Sequence, residues 1–368
     1  MTHVQAVAWF ITPHGFGHAT RSAAIMQALH ARLPHLHFHI VSRLPEFLFD
    51  QVVPGAFTLH DEPCDVGLVQ QTAMEIDFEA SLRVLNDFYP LDEGRIANLA
   101  ARLSGLDCSL VCCDIAPLGI AVAKAIGCPS VLIENFTFHW IYESYTRHWP
   151  GFEPIIAYLR DLCERADLHI QTEPISEPNR NALHTAPVAR RFRNPRSEVR
   201  RQLGVPEDRP LVMITMGGIR ENLGFLNRLA SQREVCFLLP GASVRGENIV
   251  PLPEGAPAYH PDLIHAADLV IGKLGYSTFA EVYHAGVPFG FVTRPNFPES
   301  VPLAAFVRRE MPSMELDAGT FLQGDWLDRL PELLSLKRVP PPRVNGATQI
   351  AERLVMTIGA TETSDRDA

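Results

Sequence analysis

The sequence predicts an α/β protein built from two Rossmann-like domains with parallel sheets. Short apolar runs alternate with amphipathic stretches through the first half of the chain, which is typical of βαβ units. The same alternation restarts after a polar, proline-bearing stretch at residues 190–209. The length of 368 residues agrees with this division, because a single hydrophobic core usually stops growing at roughly 250–300 residues.

The first domain is predicted to span residues 1–190. Its predicted elements, in chain order, are the strand AVAWFIT, a helix from Ala19 to Arg32, the strands LHFHIVS and CSLVCCD, a helix from Pro117, and the strand PSVLIEN. The second domain is predicted to span residues 191–343. Its predicted elements are LVMITMGG, a helix from Asn222, VCFLLPG, a helical turn near Asp262, DLVIGK, a helix from Thr278, and VPFGFVT.

The C-terminal segment is predicted to form a helix over residues 344–360. Ile350, Leu354 and Ile358 recur at helical spacing on one face, so the helix is amphipathic. We expect it to cross back to the first domain. The polar residues 361–368 are predicted to be a disordered tail.

Composition excludes several classes of function. A net charge of −10 argues against nucleic acid as a partner, because phosphates demand clustered Lys and Arg. The sequence contains no apolar run of membrane-spanning length and no signal-peptide pattern, which predicts a cytoplasmic protein without an integral membrane segment. Seven cysteines without metal-ligand spacing predict buried thiols, with neither disulfides nor a metal site.

The segment FITPHGFGHATR is the first candidate site. It places His14, Gly15, Gly17 and His18 where the first strand turns into the first helix, at the edge where open α/β sheets bind ligands. Glycines allow a ligand to approach the backbone and His18 supplies a base near neutral pH, although a tight turn with a capping histidine explains the same residues. The spacing is not GxGxxG, which disfavours a dinucleotide. Arg21 faces solvent or a bound phosphate, with solvent favoured for this residue alone.

Asp114 ends the apolar run CSLVCCD at a carboxyl edge, where a carboxylate is costly unless it is paired. An aspartate bonded to one imidazole nitrogen fixes the tautomer and supports the imidazolium, so His18 and Asp114 form a candidate catalytic dyad. A cap on the helix that starts at residues 115–117 is an equally weighted alternative for Asp114.

Two strand-glycine-helix turns in the second domain predict a diphosphate site. One contains Gly217 and Gly218, and the other runs from Lys273 to Gly275 ahead of a helix over residues 277–285. Ser277 and Thr278 cap that helix or bind phosphate, and Glu281 is a candidate ribose ligand or a surface charge. In the loop TRPNFPES, three side chains are candidate ligands for sugar hydroxyls, with a solvated loop as the alternative: Arg294, Asn296 and Glu299.

Together these motifs resemble the GT-B glycosyltransferases, in the branch that contains MurG and the glycosyltransferase-like N-terminal region of plant L-arabinokinases. The arabinokinase region is the most similar, and the likeness covers nearly the whole chain. It rests on HGFGHATR at residues 14–21, the strand that ends at Asp114, ENFTFHWIY at residues 134–142, PDLIHAAD at residues 261–268 and GKLGYSTFAE at residues 272–281.

The resemblance implies the roles of several residues. His18 is implied to be the base that deprotonates an acceptor hydroxyl, with Asp114 as its partner. The donor diphosphate is implied to lie among Gly217, Gly218, Gly275 and Thr278. Glu281 is implied to bond the ribose, and the segment from Tyr259 through His260 to Asp262 to lie beside the base, with Arg190 or Arg191 adding positive charge. The Asp-Gln or Gln-Gln pair of relatives is absent, and Asn296 with Glu299 stands nearby.

The predicted function is therefore transfer of a sugar from a nucleoside-diphosphate sugar to an acceptor hydroxyl. Single displacement predicts inversion, and Lys273 with helix N-terminal amides replaces a divalent metal at the leaving diphosphate. The donor is a co-substrate rather than a cofactor, with UDP favoured over GDP. The alternatives are a nucleotide-sugar 2-epimerase and a non-catalytic nucleotide-sugar-binding protein. Because the sequence has no GxxxxGK[ST] loop, it is predicted not to be a kinase.

Overall fold

The computed structural model describes residues 5–71, 75–216, 224–240, 246–250, 252 and 258–366, with side chains described to residue 359. The chain forms two compact units. The first comprises the described residues up to Gln71, from Ile76 to Ala189, and from Val344 onward, and the second contains Arg190–Arg343. Each unit has its own parallel sheet, as the sequence predicts.

The first unit contains a seven-stranded sheet in the order β3-β2-β1-β4-β5-β6-β7, with every neighbouring pair parallel. The central strands are buried along their length, which explains why they are continuous apolar runs in the sequence. The strands are β1 (Ala6–Ile11), β2 (His37–Val41), β3 (Phe57–His60), β4 (Cys108–Asp114), β5 (Ser130–Glu134), β6 (Leu168–Thr172) and β7 (Leu183–Thr185).

Helices connect most of these strands, because parallel neighbours need a crossover connection. They are α1 (Phe16–His30), α2 (Phe47–Asp50), α3 (Phe78–Phe88), α4 (Glu93–Ser104), α5 (Leu118–Ile126), α6 (Phe138–Glu143) and α7 (Glu153–Glu164), with a 3₁₀ turn at Pro150–Phe152. Helices α3 and α4 begin at aspartate caps, because Asp77 accepts from the Ala80 N–H and Asp92 accepts from the Arg95 N–H.

The C-terminal helix of the chain belongs to the first unit, where it packs against α1. This helix, α15, spans Gly346–Arg366. A side chain at Gly346 would meet the Ala186 carbonyl at 2.0 Å, so the close approach requires glycine. The sequence predicts that this helix ends at residue 360 and that the residues beyond it are disordered. The structure carries the helix to Arg366, because residues 360–366 contain neither glycine nor proline to interrupt the backbone.

The second unit contains a six-stranded sheet in the order β10-β9-β8-β11-β12-β13, again with parallel neighbours. Its core includes Phe225, Phe237, Leu269 and Trp326. The strands are β8 (Leu211–Thr215), β9 (Cys236–Leu238), β10 (Ile249–Val250), β11 (Leu269–Lys273), β12 (Phe289–Val292) and β13 (Ser313–Glu315).

The helices of the second unit include the predicted elements at shifted bounds. They are α8 (Arg196–Gln202), α9 (Leu226–Leu229), α10 (His260–Ala266), α11 (Tyr276–Ala285), α12 (Ser300–Glu310), α13 (Ala318–Phe321) and α14 (Leu330–Ser335), with a 3₁₀ helix at Asp325–Arg329. Of the helix predicted from Asn222, the structure describes the four residues of α9. Asn222 itself lies outside the described residues.

All seven cysteines lie in described segments and are free thiols, four of them buried. In the described segments, no three His, Cys, Asp or Glu side chains are grouped so as to hold a metal ion. Nor does this part of the chain contain a helix long and apolar enough to cross a bilayer.

Candidate active site

The strand-to-helix turn after β1 brings His18 to the carboxyl edge of the first sheet. Strand β1 ends at Ile11 and helix α1 begins at Phe16, so His18 lies in the first turn of the helix. Gly15 is the N-cap residue and has φ of 86°, a conformation that favours glycine. The turn therefore needs Gly15 for backbone reasons, independently of any ligand.

Asp114 reaches the same place from β4, the neighbour of β1 in the sheet. It is paired in register with Ile11, and Ile115 after it has φ of 45°, a conformation that β-branched residues rarely adopt. Oδ1 of Asp114 lies 2.9 Å from Nδ1 of His18. Helix α5 has Pro117 at its N-cap, so Asp114 does not cap that helix and the alternative for this residue is excluded.

Arg21 lies one turn further along α1 and is buried, with 1% of its side chain exposed. Its Nε donates to Oδ2 of Asp114 at 2.9 Å, and its Nη2 donates to Oδ1 at 2.5 Å. The prediction that this residue alone favours solvent is wrong, because the carboxylate of Asp114 needs a charged partner in the protein interior. Binding of phosphate or acceptor by Arg21 stays a prediction.

The charges around Asp114 keep it ionised. Burial alone raises the pKa of this carboxyl, but the guanidinium of Arg21 and the hydrogen bonds from His18 and Arg21 outweigh burial and lower the pKa to about 2. Ser22 adds a fourth donor, its hydroxyl 2.8 Å from Oδ2. Asp114 is fully buried, whereas 9% of the His18 side chain is exposed.

The segment that follows β5 forms the third side of the site. Asn135 accepts a hydrogen bond from Nη1 of Arg21 at 2.5 Å, and the ring of Phe136 lies edge-on to His18 with centroids 5.9 Å apart. Phe138 contacts the ring of His14 in the same way at 5.6 Å. The motif ENFTFHWIY includes Asn135, but the sequence predicted no role for this residue. The signal was its position directly after β5, the sheet neighbour of β4.

The remaining residues of the first loop are placed as follows. His14 is half-buried and Gly17 is partly exposed, whereas Gly15 is exposed. A side chain at Gly67 would meet the His14 ring at 2.2 Å, so the packing of His14 depends on that glycine. The structure brings His18, Asp114 and Arg21 into one bonded cluster, which we call the His18 cluster.

In the second unit, the predicted phosphate turn lies between β11 and α11. Lys273 ends the strand, Gly275 is the N-cap residue of the helix, and Ser277 and Thr278 lie in its first turn. Gly275 has open space where a side chain would project, in contrast to Gly272, where it would meet the Thr215 carbonyl at 1.8 Å. The positive end of the helix dipole and the N–H groups at the start of α11 are suited to an anion.

Glu281 lies on the same helix, but its carboxylate is buried and bonded within the unit. Nε of Arg190 donates to its Oε1 at 2.8 Å, and Nδ1 of His260 lies 2.7 Å from its Oε2. Burial raises the pKa of Glu281, but Arg190 and His260 lower it by more than burial raises it. The pKa of Glu281 therefore lies below its ordinary value. The sequence assigned Glu281 to a ribose and Arg190 to an anion without pairing them. We call these three residues the Glu281 cluster.

The other predicted donor residues are spread around this unit. The Tyr259 hydroxyl donates to the backbone carbonyl of Arg191 at 3.0 Å, and the guanidinium of Arg193 lies 3.9 Å from the centre of the Tyr259 ring. Arg191 is exposed. Glu299 is buried and accepts from Nη2 of Arg294 at 3.3 Å. Asn296 is exposed. Gly217 and Gly218, the first predicted phosphate turn, lie outside the described residues.

Solved structures of glycosyltransferases share the fold over nearly the whole chain. The spinosyn forosaminyltransferase SpnP has a TM-score of 0.61 and 16% identity, with 98% of this chain and 96% of that chain covered. The calicheamicin glycosyltransferase CalG4 has a TM-score of 0.58 and 15% identity, with 98% and 95% covered. The chain has the GT-B fold. No model of a protein family matches the sequence.

A third solved structure with the same fold is a complex with small molecules. UGT2 of Phytolacca americana, complexed with UDP-2-fluoro-glucose and pterostilbene, has a TM-score of 0.59 and 13% identity, covering 96% of this chain and 100% of that chain.

Two curated proteins are similar in sequence to this GT-B chain. The L-arabinokinase of Arabidopsis thaliana is 29% identical over 369 residues, which covers 98% of this chain and 35% of the kinase. An uncharacterised glycosyltransferase of Methanopyrus kandleri is 25% identical over 206 residues, which covers 52% of this chain and 58% of that protein. The chain thus spans about a third of the first relative and little more than half of the second. The predicted resemblance to an arabinokinase is confirmed, and a place in the MurG branch stays a prediction.

Proposed function

We propose that this protein is a glycosyltransferase that moves a sugar from a nucleoside-diphosphate sugar to an acceptor hydroxyl, with His18 as the base. The observation that carries the proposal is the contact of 2.9 Å between His18 and a fully buried Asp114 at the carboxyl edge of a GT-B sheet. The names of the structural neighbours and of the archaeal relative support the same reaction class.

His18 takes the proton of the acceptor hydroxyl as that oxygen attacks the anomeric carbon of the donor. Asp114 accepts a hydrogen bond from the Nδ1–H group and stabilises the imidazolium that forms. The C–O bond to the new acceptor forms as the bond to the diphosphate breaks, so a single displacement inverts the anomeric centre. The proton leaves on Nε2 of His18 and the electron pair leaves on the diphosphate.

The second unit holds the donor at the first turn of α11. The amides beside Gly275 and the ammonium of Lys273 stabilise the negative charge that develops on the leaving diphosphate. These groups make a divalent metal unnecessary for the reaction. The proposed donor base is uracil rather than guanine, following the resemblance to transferases that use UDP-sugars.

The test is product analysis with a panel of UDP- and GDP-sugars and acceptor alcohols. The wild-type chain is expected to release nucleoside diphosphate and form an inverted glycoside, and His18→Ala to lower kcat by roughly 10²- to 10⁴-fold. His35→Ala, which alters an exposed histidine beyond α1, is the matched control and should retain activity. Equal activity of His18→Ala would overturn the role of His18.

Two outcomes of the same assay identify the alternative functions. Conversion of the donor to its 2-epimer without an acceptor identifies an epimerase. Saturable nucleotide binding without hydrolysis, transfer or epimerisation identifies a binding protein. Either result would replace the transferase proposal.

A further inference from the structure

Arg21 is a buried charged group that the reaction above does not use. Its guanidinium forms a two-pronged pair with Asp114, through Nε at 2.9 Å from Oδ2 and Nη2 at 2.5 Å from Oδ1. Its third nitrogen, Nη1, donates to the side-chain carbonyl of Asn135 at 2.5 Å. Because every guanidinium nitrogen has a protein acceptor and the side chain is 1% exposed, Arg21 acts on the protein rather than on a ligand.

The carboxylate that Arg21 holds in place decides which nitrogen of His18 carries the proton. Nδ1 of His18 lies 2.9 Å from Oδ1 of Asp114 and 3.2 Å from Nη2 of Arg21. If Nδ1 were unprotonated, its lone pair would face a carboxylate oxygen at hydrogen-bond distance, which is repulsive. With the proton on Nδ1, both it and Nη2 donate to Oδ1. The neutral imidazole therefore has its lone pair on Nε2, the state that a general base requires.

Arg21 also offsets the charge that Asp114 presents to His18. A lone carboxylate beside an imidazole stabilises the imidazolium and raises the histidine pKa. Here the carboxylate is shared with a guanidinium whose nearest nitrogen is 3.2 Å from the ring, so the net charge beside His18 is close to zero.

The other groups around His18 do not supply a competing charge. From the segment after β5, Phe136 contacts the imidazole and Asn135 is uncharged. From α1, Ser22 donates a neutral hydroxyl to Asp114. The thiols of Cys64 and Cys113 interact with the charge of Asp114, but burial raises the pKa of both, so they remain neutral.

We propose that Arg21 is a positioning residue for the proposed transfer: it clamps both oxygens of Asp114 and so holds His18 in the Nδ1-protonated tautomer. The catalytic part of this inference rests on the proposed function. The tautomer of His18 is a property of the first unit and is measured without any substrate.

The first experiment uses the wild-type full-length chain. Long-range ¹H–¹⁵N spectra of the histidine rings, with His18 assigned by its loss in His18→Gln, report which ring nitrogen carries the proton at pH 8. A protonated Nδ1 and an unprotonated Nε2 are expected. The opposite tautomer would overturn the proposal, and this measurement requires no Arg21 variant to fold.

The second experiment compares the His18 tautomer in folded variants. Arg21→Gln removes the two-pronged clamp on Asp114 and is expected to mix the two tautomers, with a measurable fraction of His18 protonated on Nε2. Arg21→Lys keeps the positive charge but not the two-pronged geometry, so it should restore part of the wild-type pattern. Ser22→Ala removes one hydroxyl donor from the same carboxylate and is the matched control, with the wild-type tautomer expected. A wild-type tautomer in folded Arg21→Gln contradicts the positioning role.

Activity supplies the final readout. In Arg21→Gln, kcat is expected to fall as the Nδ1-protonated tautomer is lost, while KM for the donor stays near the wild-type value. A tautomer that changes as expected in a chain without transferase activity would refute the proposed function and leave the Arg21 inference intact. An unchanged kcat alongside a changed tautomer would refute the catalytic part of the inference.

Discussion

The His18 cluster and the Glu281 cluster contain the same three groups, a buried carboxylate between an arginine and a histidine. In the first unit Asp114 bonds Arg21 and His18, and in the second unit Glu281 bonds Arg190 and His260. The clusters differ in how open the histidine is, with 9% of the His18 side chain and 26% of the His260 side chain exposed. They also differ in placement, since Asp114 lies at the end of a strand, whereas Glu281 lies in the second turn of a helix.

This difference shows which charged pairs can be predicted from a sequence. His18 and Asp114 each follow the end of a strand, and β1 and β4 are neighbours, so their side chains meet at one edge. Glu281 lies in the second turn of α11 and meets an arginine 91 residues earlier in the chain. Both carboxylates needed an arginine, and periodicity did not reveal the partner in either unit.

The largest expected effect comes from removing the two carboxylates. Asp114→Ala leaves the guanidinium of Arg21 buried without a counter-charge and is expected to lower the free energy of unfolding by about 3–5 kcal/mol. Glu281→Ala is expected to cost less, because Arg190 and His260 are more exposed than their counterparts. Urea unfolding of both variants measures the difference.

Asp161→Ala is the control for this pair of variants, because it breaks an exposed pair with Arg165 and should change stability by less than about 1 kcal/mol. A larger loss for Glu281→Ala than for Asp114→Ala would break the comparison.

Asp65 sharpens the comparison, because it is a buried carboxyl whose donors, the Tyr89 hydroxyl and the Val66 amide, are neutral. Burial raises its pKa from 3.8 to about 7, the reverse of Asp114. The folded chain therefore holds this proton where the unfolded chain has lost it, so its contribution to stability falls as pH rises from about 4 to about 7.

The asparagine of Asp65→Asn does not titrate. The free energy of unfolding of this variant, relative to that of the wild-type chain, should therefore rise by on the order of 3 kcal/mol between pH 5 and pH 8. Urea unfolding at the two pH values gives this difference directly. A constant difference between variant and wild type would show that an opposite charge compensates Asp65 as Arg21 compensates Asp114.

The donor turn of the second unit is tested at Gly275, which has open space at its Cβ position and φ of −128°. Gly275→Val should therefore fold normally but obstruct the first turn of α11. We expect at least about a tenfold loss of affinity for nucleoside diphosphates, equal to about 1.4 kcal/mol, in calorimetric titration.

Gly272→Ala is the contrasting variant. Its new methyl group meets the Thr215 carbonyl at 1.8 Å, so it should lower the melting temperature. Normal nucleotide binding by Gly275→Val would remove this turn from the donor site.

The smallest expected effects are on the histidines of the two clusters. His18→Ala and His260→Ala each remove one hydrogen bond from a carboxylate that keeps its arginine, so each should lower the free energy of unfolding by about 1 kcal/mol. The two variants should differ in catalysis, with a large loss for His18→Ala alone. Equal losses of activity would show that the histidines of the two clusters act alike.

Much of the fold was predictable from the alternation of apolar runs. Strands β1, β4, β5 and β11 lie within one residue of their predicted bounds, because buried parallel strands are continuous apolar segments. Five strands were not predicted: β3, β6, β7, β10 and β13. Three of these, β7, β10 and β13, have three residues or fewer and carry too little periodicity. The caps at Asp77 and Asp92 were present in the sequence as start signals for α3 and α4 and went unused.

The sequence by itself determined the α/β class, the two parallel sheets, and the placing of His18 and Asp114 at strand ends. These follow from local periodicity and from the rule that parallel strands end at one edge. Only the tertiary structure decided the partners of the buried charges: Arg21 on Asp114, Asn135 on Arg21, and Arg190 on Glu281. Long side chains reach several ångströms from their backbone, and burial, which residue order does not encode locally, forces each charge to find its counter-charge.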